Sequence, residues 1–467
     1  MSTTADSVTR LLALLGLGLA ACSGTIASSP VDAGLARDAA PRDTDAGQST
    51  DVGVADVGVA DDAVSARSDS GTGADAAAGF DAAMTTPCSS LAGSWSSGDA
   101  FYRADGAWDV HACQLASPGQ YEVVKPVGRD PTRFAQARCN DGTPFGFFVR
   151  LAPQPSPGWL IYLQGGEMCD DYAKPCSARD GWLTTTPPFA DRAITTRPWS
   201  GLFSTDPAVN PDFHAQNQVL AHYCSSDIWA GATTELRPSS GDPANGWYFS
   251  GHANVDAMLA TLVERYGLDD TSDSLQVLFS GGSAGAFGAH LNASRVLSAL
   301  PAAAAAGRVK LLVDAGWFIM FDDPDHRIGV ATTSDLDVFS RARSFWGATF
   351  DPDCEAALGD SGSCFFPRNW YPYVAARQPI LIQQSSFDAA FTASHQLAAT
   401  EAAAQAWRNQ VEASFTSANV GWLFSGADSY HTLGLADTGM QKGPAGQTLA
   451  EVLGRFWAGG AAEQVRF

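Results

Sequence analysis

The chain carries a series of short apolar runs, each long enough for one buried strand. They occupy residues 145–151, 158–163, 217–224, 275–280, 308–313, 379–384 and 419–424. Segments 254–266, 286–300 and 448–456 have the apolar spacing, or the Ala and Leu content, of helices. Strands that alternate with helices predict an α/β fold: a mostly parallel, doubly wound sheet with helices on both faces. The functional site is then expected where the carboxyl ends of the strands meet.

The run at 275–280 leads directly into Gly281-Gly282-Ser283-Ala284-Gly285, and a helical segment follows. Strand, Gly-x-Ser-x-Gly turn and helix in this order are typical of a nucleophile elbow, whose strained turn lifts the serine hydroxyl out of the sheet. We therefore expect Ser283 to be a nucleophile. The amide of Ala284, at the helix start, is expected to donate to an oxyanion. The alternative is a glycine-rich turn with an incidental serine.

A second oxyanion donor is expected after the strand at 158–163. That run ends in Gln164-Gly165-Gly166-Glu167 and lies upstream of the serine, where an α/β-hydrolase keeps a further backbone amide. The predicted donors are the amides of Gly166 and Glu167. A tight turn without a catalytic role is the alternative.

A serine nucleophile requires a general base and a carboxylate that orients the base, and after an elbow they follow in the order Ser, Asp or Glu, His. His431 follows the last predicted strand and Asp388 follows the strand before it, so we predict a triad of Ser283, His431 and Asp388. Asp314, at a strand end, and Asp428, in the loop of His431, are rival carboxylates. The other histidines fit less well: His111, His214, His222, His252, His290, His326 and His395.

The N-terminus predicts export. Residues 11–21 form an apolar stretch too short for a stable membrane span, and it ends in Leu19-Ala20-Ala21-Cys22. This ending resembles a bacterial lipobox, which implies cleavage before Cys22 and lipidation of its thiol. The expected location is the cell envelope, as a lipoprotein. A plain signal peptide and a fully secreted protein are the alternative.

Residues 23–87 are expected to be a disordered tether. They contain eleven Asp and three Arg, no Glu or Lys, and Phe80 as the only aromatic residue. Such a stretch cannot bury enough apolar surface to offset its ordering entropy. The predicted organisation is therefore a signal peptide at 1–22, the tether at 23–87 and a catalytic domain at 88–467. That domain opens with a turn-rich part, 88–138, which predicts short strands or an irregular cap.

Eight cysteines remain after Cys22, an even number that favours disulfides in an exported protein. The close pairs Cys169 with Cys176 and Cys354 with Cys364 are the expected local bridges. Their spacing matches no usual zinc pattern, so we expect neither a metal nor a cofactor. The formal net charge of −22 argues against nucleic acid as a partner and against charge-driven membrane binding, which leaves the lipid anchor as the expected membrane contact.

Several of these motifs recur together in one known family. They are Leu163-Gln164-Gly165-Gly166, Cys169 with Cys176, Tyr223-Cys224-Ser225-Ser226-Asp227-Ile228-Trp229-Ala230-Gly231, Gly282-Ser283-Ala284-Gly285, Asp314-Ala315-Gly316-Trp317-Phe318, Phe387-Asp388 and His431. Over about residues 139–433 the chain resembles the pectin acetylesterase/Notum family of carboxylesterases. The resemblance implies an α/β-hydrolase-like fold and the triad named above. Family members remove acetyl groups from plant pectin or a fatty acyl group from a secreted signalling protein. Gly165, Asp227, Trp229 and Trp317 are expected to line the substrate pocket.

One departure from the family affects the expected substrate. The family usually has Gly-Gly-Trp where this chain has Gly165-Gly166-Glu167, and a carboxylate in place of an indole should alter the pocket. We expect an exported, monomeric serine carboxylesterase that acts on an acylated carbohydrate or another small ester, most of all on acetylated polysaccharide such as pectin. The alternatives are a lipase or protein deacylase, and a non-catalytic surface lipoprotein that binds glycans through residues such as Trp229 and Trp317.

Overall fold

In a computed structural model of the chain, the described residues are organised around one mixed sheet of ten strands. The described residues are 120–179, 181–189, 191, 193–195, 200–240, 246–321, 334–359, 362–397, 402–414, 421–425, 431–441, 447–460 and 464–466. The predicted signal peptide, the tether and Cys22 lie outside them. So do Asp428, His111 and His326.

The sheet has the order β10-β9-β8-β7-β6-β3-β5-β2-β1-β4. Its strands are β1 (Tyr121–Val124), β2 (Phe147–Arg150), β3 (Gly158–Leu163), β4 (Ile194–Thr195), β5 (Asn217–Ala221), β6 (Gln276–Gly282), β7 (Val309–Asp314), β8 (Ile380–Ser385), β9 (Gly421–Ser425) and β10 (Gln464–Arg466). All pairs from β5 through β10 are parallel, whereas β2, β1 and β4 add antiparallel pairs at one edge. The predicted mostly parallel sheet is confirmed.

The helices pack on the two faces of this sheet. They are α1 (Pro126–Arg129), α2 (Gly251–Arg265), α3 (Ala284–Leu291), α4 (Ala293–Ala299), α5 (Pro301–Ala305), α6 (Asp335–Trp346), α7 (Pro352–Leu358), α8 (Pro367–Ala375), α9 (Ala389–Ser394), α10 (Ala402–Ser414), α11 (Asp437–Met440) and α12 (Leu449–Trp457). None of the described helices is long and apolar enough to cross a bilayer.

Alternate residues of the central strands enter two separate apolar cores. Val277 and Phe279 of β6 pack in the larger core with α2, α3, α6, α8 and α10. Leu278 of the same strand packs in the smaller core, which α12 covers with Leu453 and Phe456. Because successive strand residues point to opposite faces, the apolar runs are buried on both sides, as expected for a doubly wound sheet.

The predicted helix at 286–300 is in fact two helices. The side-chain amide of Asn292 donates to Gly288 O (2.8 Å) within α3 and to Trp229 O (2.9 Å) from a distant loop. Asn292 thus ends α3, and α4 begins at Ala293. The single helix was a wrong prediction, because the partner that stops it is remote in sequence.

Three disulfides lie in the described part of the chain. Both predicted local bridges, Cys169–Cys176 and Cys354–Cys364, are confirmed. The third, Cys139–Cys224, joins residues 85 apart and ties the segment before β2 to the residues after β5. Sequence spacing gave no indication of this pair.

Candidate active site

The turn after β6 places Ser283 in a strained conformation. Its φ of 55° and ψ of −124° lie in a region that residues other than glycine rarely occupy. The turn is packed so closely that a β-carbon on Gly285 would overlap the carbonyl oxygen of Leu163 at the end of β3. Only glycine fits at 285, and the strand–turn–helix geometry is that of a nucleophile elbow.

Helix α3 begins directly after Ser283. Ala284 is its first residue, and the first amides of a helix have no partner within the helix. These amides and the positive end of the helix dipole lie next to the serine and favour negative charge there. This is the position predicted for the oxyanion donor of Ala284.

The chain after β3 passes beside the serine. A β-carbon placed on Gly165 would lie 2.9 Å from Ser283 Cβ, so this backbone can approach closely only as glycine. Gly166 and Glu167 follow with positive φ values of 140° and 59°. The hydroxyl of Tyr223 donates to Glu167 O (2.8 Å) and fixes that peptide. The predicted donor segment is therefore adjacent to the predicted nucleophile.

His431 and Asp388 form a close pair. His431 Nδ1 lies 2.8 and 2.9 Å from the two carboxylate oxygens of Asp388, which is fully buried. An ionised carboxylate only accepts hydrogen bonds, so Nδ1 carries a proton and Nε2 is the free base position. Asp388 is itself held by Gln384 Nε2 (3.0 Å) and the amide of Ala390 (3.0 Å). The imidazole thus has a fixed orientation.

Two contacts bring the serine turn and the histidine loop together. The amide of Ser283 donates to the peptide carbonyl of Asp314 (3.0 Å), while the Asp314 carboxylate accepts from Leu433 N and Gly434 N. In addition, a β-carbon placed on Gly282 would lie 3.1 Å from Thr432 Cγ2. The neighbours of Ser283 and of His431 in the chain are therefore in contact.

The surroundings of His431 favour its charged form. Burial disfavours the charged ring and by itself lowers the pKa. The carboxylates of Asp388, Asp314 and Glu167 act in the opposite direction and prevail, so the pKa of His431 lies above its ordinary value. The His431 ring is therefore a stronger base than an ordinary histidine, but it is neutral, and able to accept a proton, only at higher pH.

Three of the predicted pocket residues are buried in structural roles. The Asp227 carboxylate accepts from Trp229 N (3.0 Å) and Gly251 N (2.8 Å) and shapes its own loop. The Trp229 indole donates to Gln164 O (3.0 Å), and the Trp317 indole donates to Ser414 Oγ (2.7 Å). Burial of all three side chains favours support of the site over contact with substrate. Gly165, by contrast, lies beside Ser283.

Sequence reasoning missed the positioning contacts. Nothing in the local pattern indicated that Tyr223 holds the Glu167 peptide, or that Gln384 holds Asp388. The sequence indicates Asp314 only as a rival carboxylate at a strand end. In the structure the His431 ring bonds to Asp388, whereas Asp314 bonds to the backbone of the histidine loop.

Ser283 should react with a fluorophosphonate, and the rate should depend on neutral His431. Because the pKa of His431 is raised, we expect the labelling rate to increase with pH through a value above about 6.5. Replacement His431→Gln should slow labelling about a hundredfold or more, since general base catalysis contributes about 10²–10⁴. Mass spectrometry of the labelled peptide measures both. Equal labelling of His431→Gln and of the control His214→Gln would contradict the arrangement.

Comparison with known proteins identifies the family of the chain. A family model described as pectinacetylesterase matches residues 130–421. Palmitoleoyl-protein carboxylesterase NOTUM of Homo sapiens is 30% identical over 265 residues, 54% of this chain and 49% of the relative. Notum1a of Danio rerio is 30% identical over 264 residues, 54% and 48% of the two chains. The aligned part thus spans about half the length of these relatives.

A solved structure shares the fold. A crystal structure of the Wnt deacylase Notum from Drosophila superposes with a TM-score of 0.59 at 24% identity, over 71% of this chain and 93% of that one. The family model covers well over half of the present chain. This protein therefore belongs to the pectinacetylesterase family, the family of the Notum carboxylesterases.

Proposed function

We propose that this protein is a serine carboxylesterase that removes short acyl groups, acetyl groups above all, from polysaccharide such as pectin. The observation that carries the proposal is the His431–Asp388 pair set beside a strained serine turn. The family described as pectinacetylesterase supplies the substrate class.

In the proposed reaction, Ser283 Oγ attacks the ester carbonyl while His431 Nε2 takes its proton. Asp388 holds Nδ1–H and stabilises the imidazolium that forms. The imidazolium then protonates the departing sugar hydroxyl, which leaves an acyl group on Ser283. Water, deprotonated by the neutral ring, releases the acid and restores the serine.

The oxyanion formed in each step is stabilised by backbone amides. Ala284 donates from the start of α3, and Gly166 with Glu167 donate from the segment that passes the serine. Each such donor lowers the barrier by about 3–4 kcal/mol in comparable sites. The positive φ of Glu167 and the Tyr223 hydrogen bond to its carbonyl fix this segment before substrate binds. The donors therefore need little reorganisation during the reaction.

A protein deacylase is the second candidate function, because the relatives are named palmitoleoyl-protein carboxylesterases. The two candidates differ in the acyl chain that the pocket accepts. A charged side chain at Glu167, in place of the indole usual in the family, disfavours a long apolar chain next to it. This favours the acetyl group.

A chain-length series separates these candidates. We expect p-nitrophenyl acetate to be hydrolysed with a higher kcat/KM than the butyrate, and the octanoate to be slowest. Acetylated pectin should release acetate. Replacement Ser283→Ala should reduce the rate by at least about 10³-fold, since the hydroxyl is the nucleophile. Steady-state kinetics and acetate release measure these values.

Two outcomes would contradict the first proposal. A preference for octanoate by the wild type would support a lipid or protein deacylase. Hydrolysis that is equally absent in wild type and Ser283→Ala, with glycan binding by the folded protein, would support the non-catalytic alternative.

The charge of Glu167 also bears on the sugar. Its side chain is 64% exposed and lies 3.2 Å from Lys174 Nζ. Its carboxylate also helps to raise the pKa of His431, so it acts on the base from the solvent side of the site. An exposed carboxylate beside the site of an acidic protein disfavours polyanions such as de-esterified pectin. Neutral or methyl-esterified acceptors are favoured.

Replacement Glu167→Gln should therefore improve hydrolysis of an acetylated oligogalacturonate. We expect kcat/KM to rise about fivefold relative to a neutral acetylated oligosaccharide at low ionic strength, as one exposed charge contributes about 1 kcal/mol. Lys174→Gln, which removes the neighbouring cation, should change the ratio in the opposite direction. A ratio that is the same in both variants and insensitive to salt would exclude Glu167 as a charge filter.

We further propose export as a lipoprotein, with cleavage before Cys22, a tether at 23–87 and a catalytic domain at 88–467. The three disulfides support this proposal, since such bonds persist in oxidising compartments.

Lipidation can be tested by metabolic labelling. In a bacterial host with lipoprotein processing, the full chain should incorporate radioactive palmitate and Cys22→Ser should not. The variant should lose membrane association, because the thiol is the attachment point. An unlabelled wild-type chain found in the medium would instead indicate a plain signal peptide.

A further inference from the structure

We propose that Asp314 is a positioning residue of this active site: its peptide carbonyl holds Ser283 and its carboxylate holds the loop of His431. One buried residue thereby sets the distance between nucleophile and base. The inference deepens the proposed esterase function and rests on it.

The nucleophile side of this contact is a backbone hydrogen bond. Asp314 is the last residue of β7 and pairs in register with Gly282 of β6. The amide of Ser283 donates to Asp314 O at 3.0 Å. The serine therefore leaves the sheet from a point fixed by Asp314.

The base side is made by the carboxylate. Leu433 N donates to Oδ1 (3.1 Å) and Gly434 N donates to Oδ2 (2.9 Å), two and three residues after His431. The amide of Leu202 donates to Gly434 O (2.8 Å). The histidine loop is thus anchored at successive peptides. Since the Asp314 side chain is 1% exposed, water cannot replace these contacts.

Asp314 and Asp388 have separate tasks. Asp388 bonds to the imidazole ring and sets its orientation and tautomer. Asp314 acts on the ring through the backbone that carries it and through its charge. Loss of either carboxylate should slow the chemical step. Loss of the Asp314 carboxylate should change the distance between Ser283 and the His431 ring, whereas the ring tautomer should stay the same.

The groups around Asp314 define its response to pH. Among the described residues, its titratable neighbours are Tyr162 on β3, whose hydroxyl donates to Oδ2 (3.4 Å), and His431. Gln383, its register partner on β8, is neutral. Asp437 on α11 accepts from Gly201 N (2.6 Å). It thus bonds to the Gly201–Phe203 turn, whose Leu202 amide holds the histidine loop at Gly434 O.

Two pH effects follow. Burial raises the pKa of Asp314 to about 6, so below about pH 6 the carboxylate gains a proton and one oxygen becomes a poor acceptor. Separately, the charge of Asp314 helps to raise the pKa of His431. Removing that charge should lower the pKa of His431 and move the acid limb of the rate profile to lower pH.

The test compares pH profiles for p-nitrophenyl acetate of the full chain and Asp314→Asn. The amide of Asn offers one acceptor for two amides, so the loop should shift. We expect kcat to fall about tenfold to a hundredfold, the size of loss that a misplaced catalytic group causes. KM should change little, and the acid limb should move to lower pH and become a one-proton limb.

Asp227→Asn is the matched control. Asp227 is equally buried, its pKa is also raised by burial to about 6, and it also accepts from backbone amides, but in another loop. Asp227→Asn should lower Tm by about as much as Asp314→Asn does, and it should leave the acid limb of the rate profile at the same pH as in the wild type. Circular dichroism measures the folded fraction of each variant, and Tm measures its stability.

Each outcome decides the proposal. An unchanged kcat and acid limb in folded Asp314→Asn would overturn it, as would a loss matched by Asp227→Asn with the same profile. If Asp314→Asn does not fold, the wild type decides. Its log(kcat/KM) should steepen towards a two-proton slope below about pH 6, and a one-proton slope throughout would overturn the proposal. A wild type without Ser283-dependent hydrolysis would overturn the esterase function as well.

Discussion

The site depends on a lack of space between the ends of β3 and β6. Gly285 packs so closely on the Leu163 carbonyl that no side chain fits, and Gly165 passes Ser283 with room for hydrogen only. At this contact Ser283 has a positive φ, and the segment of Gly166 and Glu167 passes alongside it. Strain in the turn is tolerated because β6, inside the sheet, fixes its start and α3 fixes its end. The positions of the proposed nucleophile and of its proposed oxyanion donors therefore both depend on this contact.

Buried carboxylates carry the rest of the site, and backbone amides make their burial possible. Asp388 accepts from Ala390 N, and Asp314 accepts from Leu433 N and Gly434 N. An uncompensated buried charge would be expelled or neutralised, so each carboxylate requires its loop and each loop requires its carboxylate. The same charges raise the pKa of His431. The carboxylates thus orient the His431 ring, and they also raise the pH above which the ring is neutral.

Local pattern predicted what is local. Strand β3 has the predicted bounds, because its run is apolar on both faces and turn residues border it. The strand–turn–helix at Ser283 and the pairing of Asp388 with His431 were predicted from chain order at strand ends, while their catalytic roles stay predictions. The break at Asn292, the Cys139–Cys224 bridge and the Asp314 contacts could not be predicted in this way, since each joins residues that only the folded sheet brings together. A strand-end acid was visible in the sequence, but its partner loop was not.

The scaffold that holds Ser283, His431 and Asp388 does not by itself define a substrate, because one fold can serve many reactions. Selection among substrates then depends on side chains that face solvent beside Ser283. Glu167 is such a side chain: its backbone is fixed by Tyr223 while its carboxylate remains 64% exposed. A residue with a fixed peptide and an exposed side chain can change without disturbing the proposed oxyanion donors. Substitution at this position can therefore change the surroundings of Ser283 without moving the backbone of the site.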